Sequence, residues 1–389
     1  MIRVGLALAA LAVCAAPALA QPAPRVVTDV ALPVAEGYTF DPIPSPGRLA
    51  VGRDGGFYVL LHMFKRVADA ADSAREEQVD LLAVAPAGTV TRRRTLPVQE
   101  VVGSSRFDLN ALGVVAARSG DLAVFMSTTD PAGRSSARLL RLDSDFNVKK
   151  AAPVGPPTRH DDPGSFYVVE TYLPTPDNAV LLAGGWGLGP VAWWMGKLSL
   201  DGVRLWQAGP GVGFPERVAA IAPRPDGTWL SVAVEMHGVG RGTGWYIRRH
   251  ATDGRPLARL ALVQPDDAVV AVLREGCMLI INANPDSRRK AEMVLVDDRG
   301  RVARRMPWPY PRTSSMIANG AGIAAVVADS DATDAPTWLV RADAKGTIVW
   351  RQGPVSVDEM TSLPDGRIAA LAHPGQADAP PHLVVYADP

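Results

Sequence analysis

"RVVTDVALP", residues 25–33, alternates like a β-strand and stands alone at the head of the chain. A near copy, "TVTRRRTLP" at 89–97, closes a longer unit of apolar segments and turns. The first copy is therefore the tail of a repeat whose body lies elsewhere, and finding that body decides the fold.

The repeating unit reads apolar strand, tight turn, apolar strand, loop, apolar strand, tight turn, short strand. Its first tight turn recurs seven times, as "RDGG" (53–56), "RSGD" (118–121), "TPDN" (175–178), "RPDG" (224–227), "REGC" (274–277), "ANGAG" (318–322) and "LPDG" (363–366). Asp-Gly and Asn-Gly supply the positive φ that two-residue hairpin turns require. Each turn is followed by a strand of β-forming residues, such as "FYVLLH", "LAVFMS" or "CMLIIN". These strands are almost wholly apolar, which predicts cover on both faces. A third strand and a second turn follow ("PAGT", "DFNV", "LDGV", "TDGR", "DRGR", "AKGT"), then a short fourth strand that is often basic. Four strands at a period of roughly 45–60 residues are the signature of a β-propeller. No stretch of helical length carries apolar residues three and four apart.

The seventh unit stops at Asp388-Pro389 after three strands. The spare strand at 25–33 supplies the fourth. Pairing the first strand with the last unit joins the ends of a ring and removes an open seam. The expectation is an all-β, seven-bladed propeller of four-stranded antiparallel blades, forming a single domain over residues 21–389.

Residues 1–20 are a different object. Arg3 precedes the apolar run "VGLALAALAVCAAPALA", and Ala18-Leu19-Ala20 offers small residues where a signal peptidase reads. This is the pattern of a secretory signal peptide, and it predicts a periplasmic or secreted protein. A lipid anchor on Cys14 is the rival reading, disfavoured by the bulk of Val13. No later stretch is long and apolar enough to be a transmembrane helix. Without the leader Cys277 is the sole cysteine, so no internal disulfide is expected. It sits in the apolar "GCMLIIN", where a small buried side chain is expected rather than a nucleophile. Lys plus Arg equals Asp plus Glu at 40 each, so no net field draws the chain to nucleic acid or to a membrane. The expected state is a monomer.

Two units carry more than a generic blade. "LSLDGVRLWQAG" (198–209) places Asp201-Gly202 before Trp206, and "VRADAKGTIVWRQG" (340–353) places Asp343 and Gly346 before Trp350. These resemble the Asp…Gly…Trp repeat of quinoprotein-type (PQQ-like) propellers, in which the tryptophan docks one blade on the next. The quinone-dependent dehydrogenases of that family usually have eight blades, and a vicinal cysteine pair is common in their alcohol-oxidising branch. With seven units and one cysteine, this chain departs on both counts. The resemblance implies the architecture and not the quinone.

In a propeller, the loops between second and third strands and those between fourth and first strands open on one face, where sites gather around the channel. Three second strands end in histidine: His62, His237 and His373. His160 lies in another loop of that face. Such a set suits metal ligation or acid–base work. The absence of any short HxH or HxxxH spacing favours polar strand ends instead. Two neighbouring loops, "GGWGLGPVAWW" (184–194) and "HGVGRGTGW" (237–245), are rich in glycine and tryptophan. Glycine lets a backbone approach a ligand, tryptophan anchors partners and Arg241 suits an anion. Trp186, Trp193, His237, Arg241, Trp245 and His62 are thus the candidate binding residues, set against the plainer reading of tryptophans capping blade cores. The acidic "DSDFN" (143–147) fails as an EF-hand because its twelfth position is Val154. "DSDATD" (329–334) reads as a solvated turn. The basic fourth strands (Arg92, Arg93, Arg94, Lys149, Lys150, Arg304, Arg305) protect a sheet edge from pairing with other chains.

No nucleophile elbow, zincin helix, Walker loop or CxxC pair is present. The expected function is a binding module for a protein, peptide or glycan of the cell envelope, with no catalytic residue, no metal site and no cofactor assigned. Its first rival is a propeller-fold hydrolase or lyase with Ca or Mg at the channel mouth. Its second rival is a quinone-dependent oxidoreductase.

Overall fold

A computed structural model describes residues 22–41, 47–66, 75–99, 108–130, 133–155, 166–187, 192–209, 216–235, 244–262, 268–273, 275–284, 286, 288–320, 322–373 and 379–389. The leader with Cys14, and also His160, His237 and Arg241, lie outside the described residues. Strands fall where the turns place them. Blade 2 is Asp108–Ala116, Leu122–Thr129, Ser135–Leu142 and Val148–Pro153, each antiparallel to the next. Blade 3 is Phe166–Pro174, Ala179–Gly187, Ala192–Ser199 and Arg204–Ala208. Blade 4 is Glu216–Pro223, Trp229–Glu235, Gly244–His250 and Pro256–Ala261. Blade 5 is Ala268–Leu273, Gly276–Ile281, Glu292–Asp297 and Val302–Pro307. Blade 6 is Arg312–Asn319, Gly322–Ala328, Thr337–Ala342 and Ile348–Gln352. First strands of successive blades touch all the way round, so the sheets form a ring.

Blade 7 has Ser356–Ser362, Ile368–His373 and His382–Ala387 from the C-terminal end and Arg25–Ala31 as its outer strand, in register from Arg25↔Ala387 to Ala31↔His382. The lone opening strand thus seals the ring as expected. Leu32, fully buried, anchors it, and its N–H donates to the Pro381 carbonyl at 2.8 Å.

Blade 1 departs from the pattern. Its first strand is split into Thr39–Phe40 and Leu49–Val51, both paired with Phe57–Arg66, followed by Arg75–Val84 and Val90–Thr95. Phe40 faces Met63 and Leu49 faces Val59, so eight intervening residues answer three on the partner strand. Five other blades carry a smaller version of the same irregularity, a bulge in the first strand that skips Asn110, Glu170, Ala219, Ser314 or Asp358. A bulged residue leaves the ladder and is re-aimed, a device common beside functional sites.

The core consists of seven apolar wedges, one between each pair of neighbouring blades. The second strands are buried on both faces, as their near-continuous apolar runs require: Leu122–Thr128, Gly276–Ile281 and Gly322–Ala328 are buried throughout. Each wedge ends in a joint at the second turn. Gly254 of blade 4 receives Trp206 of blade 3, Gly300 of blade 5 receives Leu260 of blade 4, and Gly346 of blade 6 receives Met306 of blade 5. Trp350 of blade 6 is fully buried against Tyr386 of blade 7, and its Nε1–H donates to Asp388 Oδ1 at 3.0 Å. Among the described residues, no helix is long and apolar enough to cross a membrane.

Candidate functional site

First strands of all seven blades line a central channel of about 1040 Å³. Val114, Ala116, Ile221, Val270, Val272 and Met316 make much of its wall apolar, and Glu170, Thr361 and Glu359 interrupt it. Arg53 and Arg118, in the first turns of blades 1 and 2, stand at its other mouth.

The tryptophans of blades 3 and 4 are walls rather than surface. Trp193 is 5% exposed and Trp245 6% exposed, both inside interblade wedges. Trp186 is half-buried at the end of its strand, its ring 4.5 Å from that of Tyr167. The Arg248 guanidinium lies 4.8 Å from the Trp193 ring and pairs with buried Glu216. Arg259 reaches the same carboxylate at 2.7 Å and lies 3.5 Å from the Tyr246 ring, whose hydroxyl donates to Glu235 at 2.5 Å. That hydrogen bond raises the Tyr246 pKa, with burial second. The strands flanking residues 188–191 and 236–243 are therefore braced by aromatic contacts and by an Arg–Glu network.

His62 is 3% exposed and lies within a strand rather than at its end. Its Nε2 is 3.1 Å from Glu77 and its Nδ1 3.7 Å from Asp41, one carboxylate on each side of the ring. His373 does end its strand and stacks on Phe40 across the seam between the last and first blades, with centroids 6.1 Å apart and planes at 16°. Among the described residues, no three His, Cys, Asp or Glu side chains converge as a metal site. Asp143 of the acidic "DSDFN" closes its own turn, accepting from the N–H groups of Asp145 (2.9 Å) and Asn147 (2.8 Å).

Sequence reasoning missed a second set at that seam. The Glu359 carboxylate accepts from three successive backbone N–H groups, Gly47 (2.9 Å), Arg48 (2.7 Å) and Leu49 (3.1 Å). Gly47, at φ +97°, lets the three N–H groups converge on one anion. Burial pushes Glu359 up to about 7, against the pull of Arg48 and those three donors. Burial also raises Asp358, opposed by Arg48 and His373. The only signal in the sequence was the uncommon pair Asp358-Glu359 in a channel-lining strand, and its partners lie some three hundred residues away.

Ser231 and His250 form a buried pair 2.8 Å apart, both with no exposure. Since the Gly254 carbonyl near His250 Nδ1 (3.1 Å) can only accept, Nδ1 carries the proton and Nε2 accepts from Ser231. Burial lowers the His250 pKa to about 4, which keeps the ring neutral. A substrate has no route to this hydroxyl, so the pair is part of the core. Cys277 is fully buried and pushed up to about 12 by burial, in keeping with an inert thiol.

No protein-family model and no curated protein matches the sequence. Among solved structures the chain is similar to the β-propeller domain of the trilobed protease from Pyrococcus furiosus, described as having an open velcro topology. Identity is 8% and the TM-score 0.54, over 90% of this chain and 96% of that one. It is also similar to the acylaminoacyl peptidase of Pyrococcus horikoshii, at 8% identity and a TM-score of 0.50 over 90% of this chain. This chain spans about half of that peptidase, 51% of its length. These likenesses are of fold.

Proposed function

We propose that the chain is an exported β-propeller that binds a protein, peptide or glycan partner of the cell envelope through the loop face of blades 3 and 4. The observation that carries this reading is the brace beneath that face. Arg248 and Arg259 share Glu216, Trp193 lies under Arg248, and Trp186 rests on Tyr167. Two glycine-rich segments leave strands held this firmly, and a binding surface gains affinity from such preorganisation. The zero net charge supports a partner chosen by shape and hydrogen bonding rather than by a long-range field. The Trp206 and Trp350 joints also support reading the repeat as quinoprotein-type in its architecture, without a quinone.

Affinity capture tests the reading. The mature chain, immobilised and exposed to envelope extract from its own cells, retains a defined partner. Trp186→Ala and Arg241→Ala lower that retention without changing the melting temperature. Equal retention by native and variant chains removes this face from the function.

A further inference from the structure

The central channel is divided lengthwise. Among the described residues that line it, blades 4, 5 and 6 contribute apolar side chains alone, with Ala220, Ala222, Ile317 and Ala318 half-buried on the wall. Every polar side chain of the lining comes from blades 7, 1, 2 and 3. Charge is also graded along the axis. Arg53 and Arg118 stand at the first-turn mouth and Glu170 and Glu359 toward the other end, with the hydroxyls of Thr361 and Ser362 between. The two arginines hold the same place in successive blades, each one residue past the N–H of Gly52 or Ala117 that closes its turn. Both are exposed, and neither has a hydrogen bond or ion pair among the described residues. The carboxylates of their own turns are engaged elsewhere. Asp54 Oδ1 accepts from the Gly56 N–H at 3.0 Å, and Asp121 accepts from Arg141 Nε at 2.8 Å. Two free cations at one mouth and carboxylates at the far end suit a ligand that is anionic at one end and cationic at the other.

The backbone narrows what that ligand is. First strands of blades 2 to 7 pair with their own blade on one side only, so each has a second edge of backbone N–H and C=O groups turned away from it. An acyl chain in the channel would bury such edges unpaired. An extended peptide can pair with them. Its side chains alternate, so one row meets the apolar wall of blades 4 to 6 and the other the hydroxyls of blades 3 and 7. The span sets its length. Pro176 is the blade 3 counterpart of Arg118, one residue past the Thr175 N–H that closes its turn. Glu170, the bulged residue of that blade, lies six positions earlier, about 17–20 Å along a strand at ~3.3 Å per residue. About five or six extended residues cover that distance.

We propose that the central channel binds a short extended peptide with free ends, its C-terminal carboxylate held by Arg53 and Arg118 and its N-terminal ammonium beside Glu170. Its apolar side chains lie on blades 4 to 6. The channel lining shares no residue with the brace of blades 3 and 4, so this is a second site.

The test is titration calorimetry on the full mature chain. The probes are a panel of peptides about five residues long that alternate valine or leucine with serine or threonine. Each is used with free ends, as the C-terminal amide and as the N-acetyl form, and dodecanoate is the acyl control. At least one free-ended peptide binds, and its amide binds roughly tenfold or more weakly. Arg53→Gln combined with Arg118→Gln weakens the free acid to the level of the amide and leaves the amide's own affinity unchanged. Both side chains are exposed and unpaired, so the melting temperature holds. Glu170→Gln weakens the free-ended peptide and spares the N-acetyl form. Trp186→Ala leaves peptide binding intact, which separates the channel from the partner-binding face. The proposal is overturned if no free-ended peptide binds, if the amide binds as tightly as the acid, if dodecanoate outbinds every peptide, or if the double arginine variant binds as the native chain does.

Discussion

The indole of Trp206, on the outer strand of blade 3, lies over Gly254 in the second turn of blade 4 so closely that a Cβ built there would come within 2.3 Å of the ring. Gly254 has φ +80°, so the turn and the contact both call for glycine. Two joints earlier in the ring, between blades 1 and 2, the sizes are reversed. Phe146 holds the place of that glycine at φ 65°, fully buried, and Arg92 takes the tryptophan's place with its guanidinium 5.4 Å from the ring. These two joints each carry one bulky residue, on opposite sides, whereas the joint between them pairs Gly202 with Ala152.

Gly254→Ala tests the close approach. The added methyl meets the indole and also strains a left-handed backbone, for a combined loss of about 2–4 kcal/mol. Gly320→Ala is the control, because its φ is +60° but no atom lies within 4 Å of the new Cβ. Only the backbone term remains there, about 1 kcal/mol. Urea unfolding of both variants measures the difference. Equal losses would mean that the indole yields.

Exchange of the two joint types is a sharper measure of the same idea. Arg92→Trp alone drives an indole toward Phe146, and Phe146→Gly alone opens a cavity beside Tyr58, whose ring centroid lies 6.1 Å from that of Phe146. Each single variant should lose about 2–4 kcal/mol. The double variant rebuilds the arrangement of Trp206 and Gly254. It should recover 1 kcal/mol or more of the summed loss, an interaction energy within the usual ~0.5–3 kcal/mol for contacting residues. Simple additivity would show that the two residues do not form one packing unit.

Ring closure rests on residues 25–32. Their removal strips blade 7 of its outer strand, exposes Tyr386 and Val385, and empties the place of Leu32 in the last-to-first wedge. Such a loss should lower the melting temperature by several degrees, at no more than about 2–4 °C per kcal/mol in a chain of this length. A synthetic peptide of residues 25–33 added in trans should restore part of it, since the edge it pairs with is left open. A truncated chain that melts like the native one would show that the ring holds without its closing strand.

The propeller was legible because its turns carry the information locally. An Asp-Gly or Asn-Gly between two apolar runs fixes a hairpin without reference to the rest of the chain, and "RVVTDVALP" betrayed its partner by resembling other fourth strands. The split first strand of blade 1 gave no such signal, because the strand pieces Thr39–Phe40 and Leu49–Val51 are too short to read. The seam cluster was illegible for a different reason. Arg48 and Glu359 meet only because the ring closes, and no local pattern marks an arginine that will be 1% exposed. Composition alone made the glycine-rich stretches of blades 3 and 4 look like exposed aromatic loops. Strand alternation turns Trp193 and Trp245 inward, leaving Trp186 half-buried.

Two buried groups give stability opposite dependences on pH, and separating them checks both environments. Burial lowers the His250 pKa to about 4 in the folded chain, against the ordinary 6.5 of an exposed histidine. Between those values the unfolded chain binds a proton that the folded chain refuses, so stability falls as the pH drops from 6.5 toward 4. Glu359 has a folded pKa of about 7 against 4.5. In that interval the folded chain holds a proton that the unfolded chain has released, so this contribution is complete below 4.5 and is lost as the pH rises through 7. Each shift corresponds to about 3 kcal/mol over its whole range. From pH 4.5 to 6.5 the two slopes oppose each other, and in the native chain their sum is nearly flat. His250→Gln removes the first and leaves stability falling with rising pH. Glu359→Gln removes the second and leaves stability falling with acid. Urea unfolding at half-unit steps from pH 4 to 7.5 reads both slopes. If the Glu359→Gln profile runs parallel to the native one, the carboxylate beneath Gly47, Arg48 and Leu49 is ionised throughout, and the three backbone donors outweigh its burial.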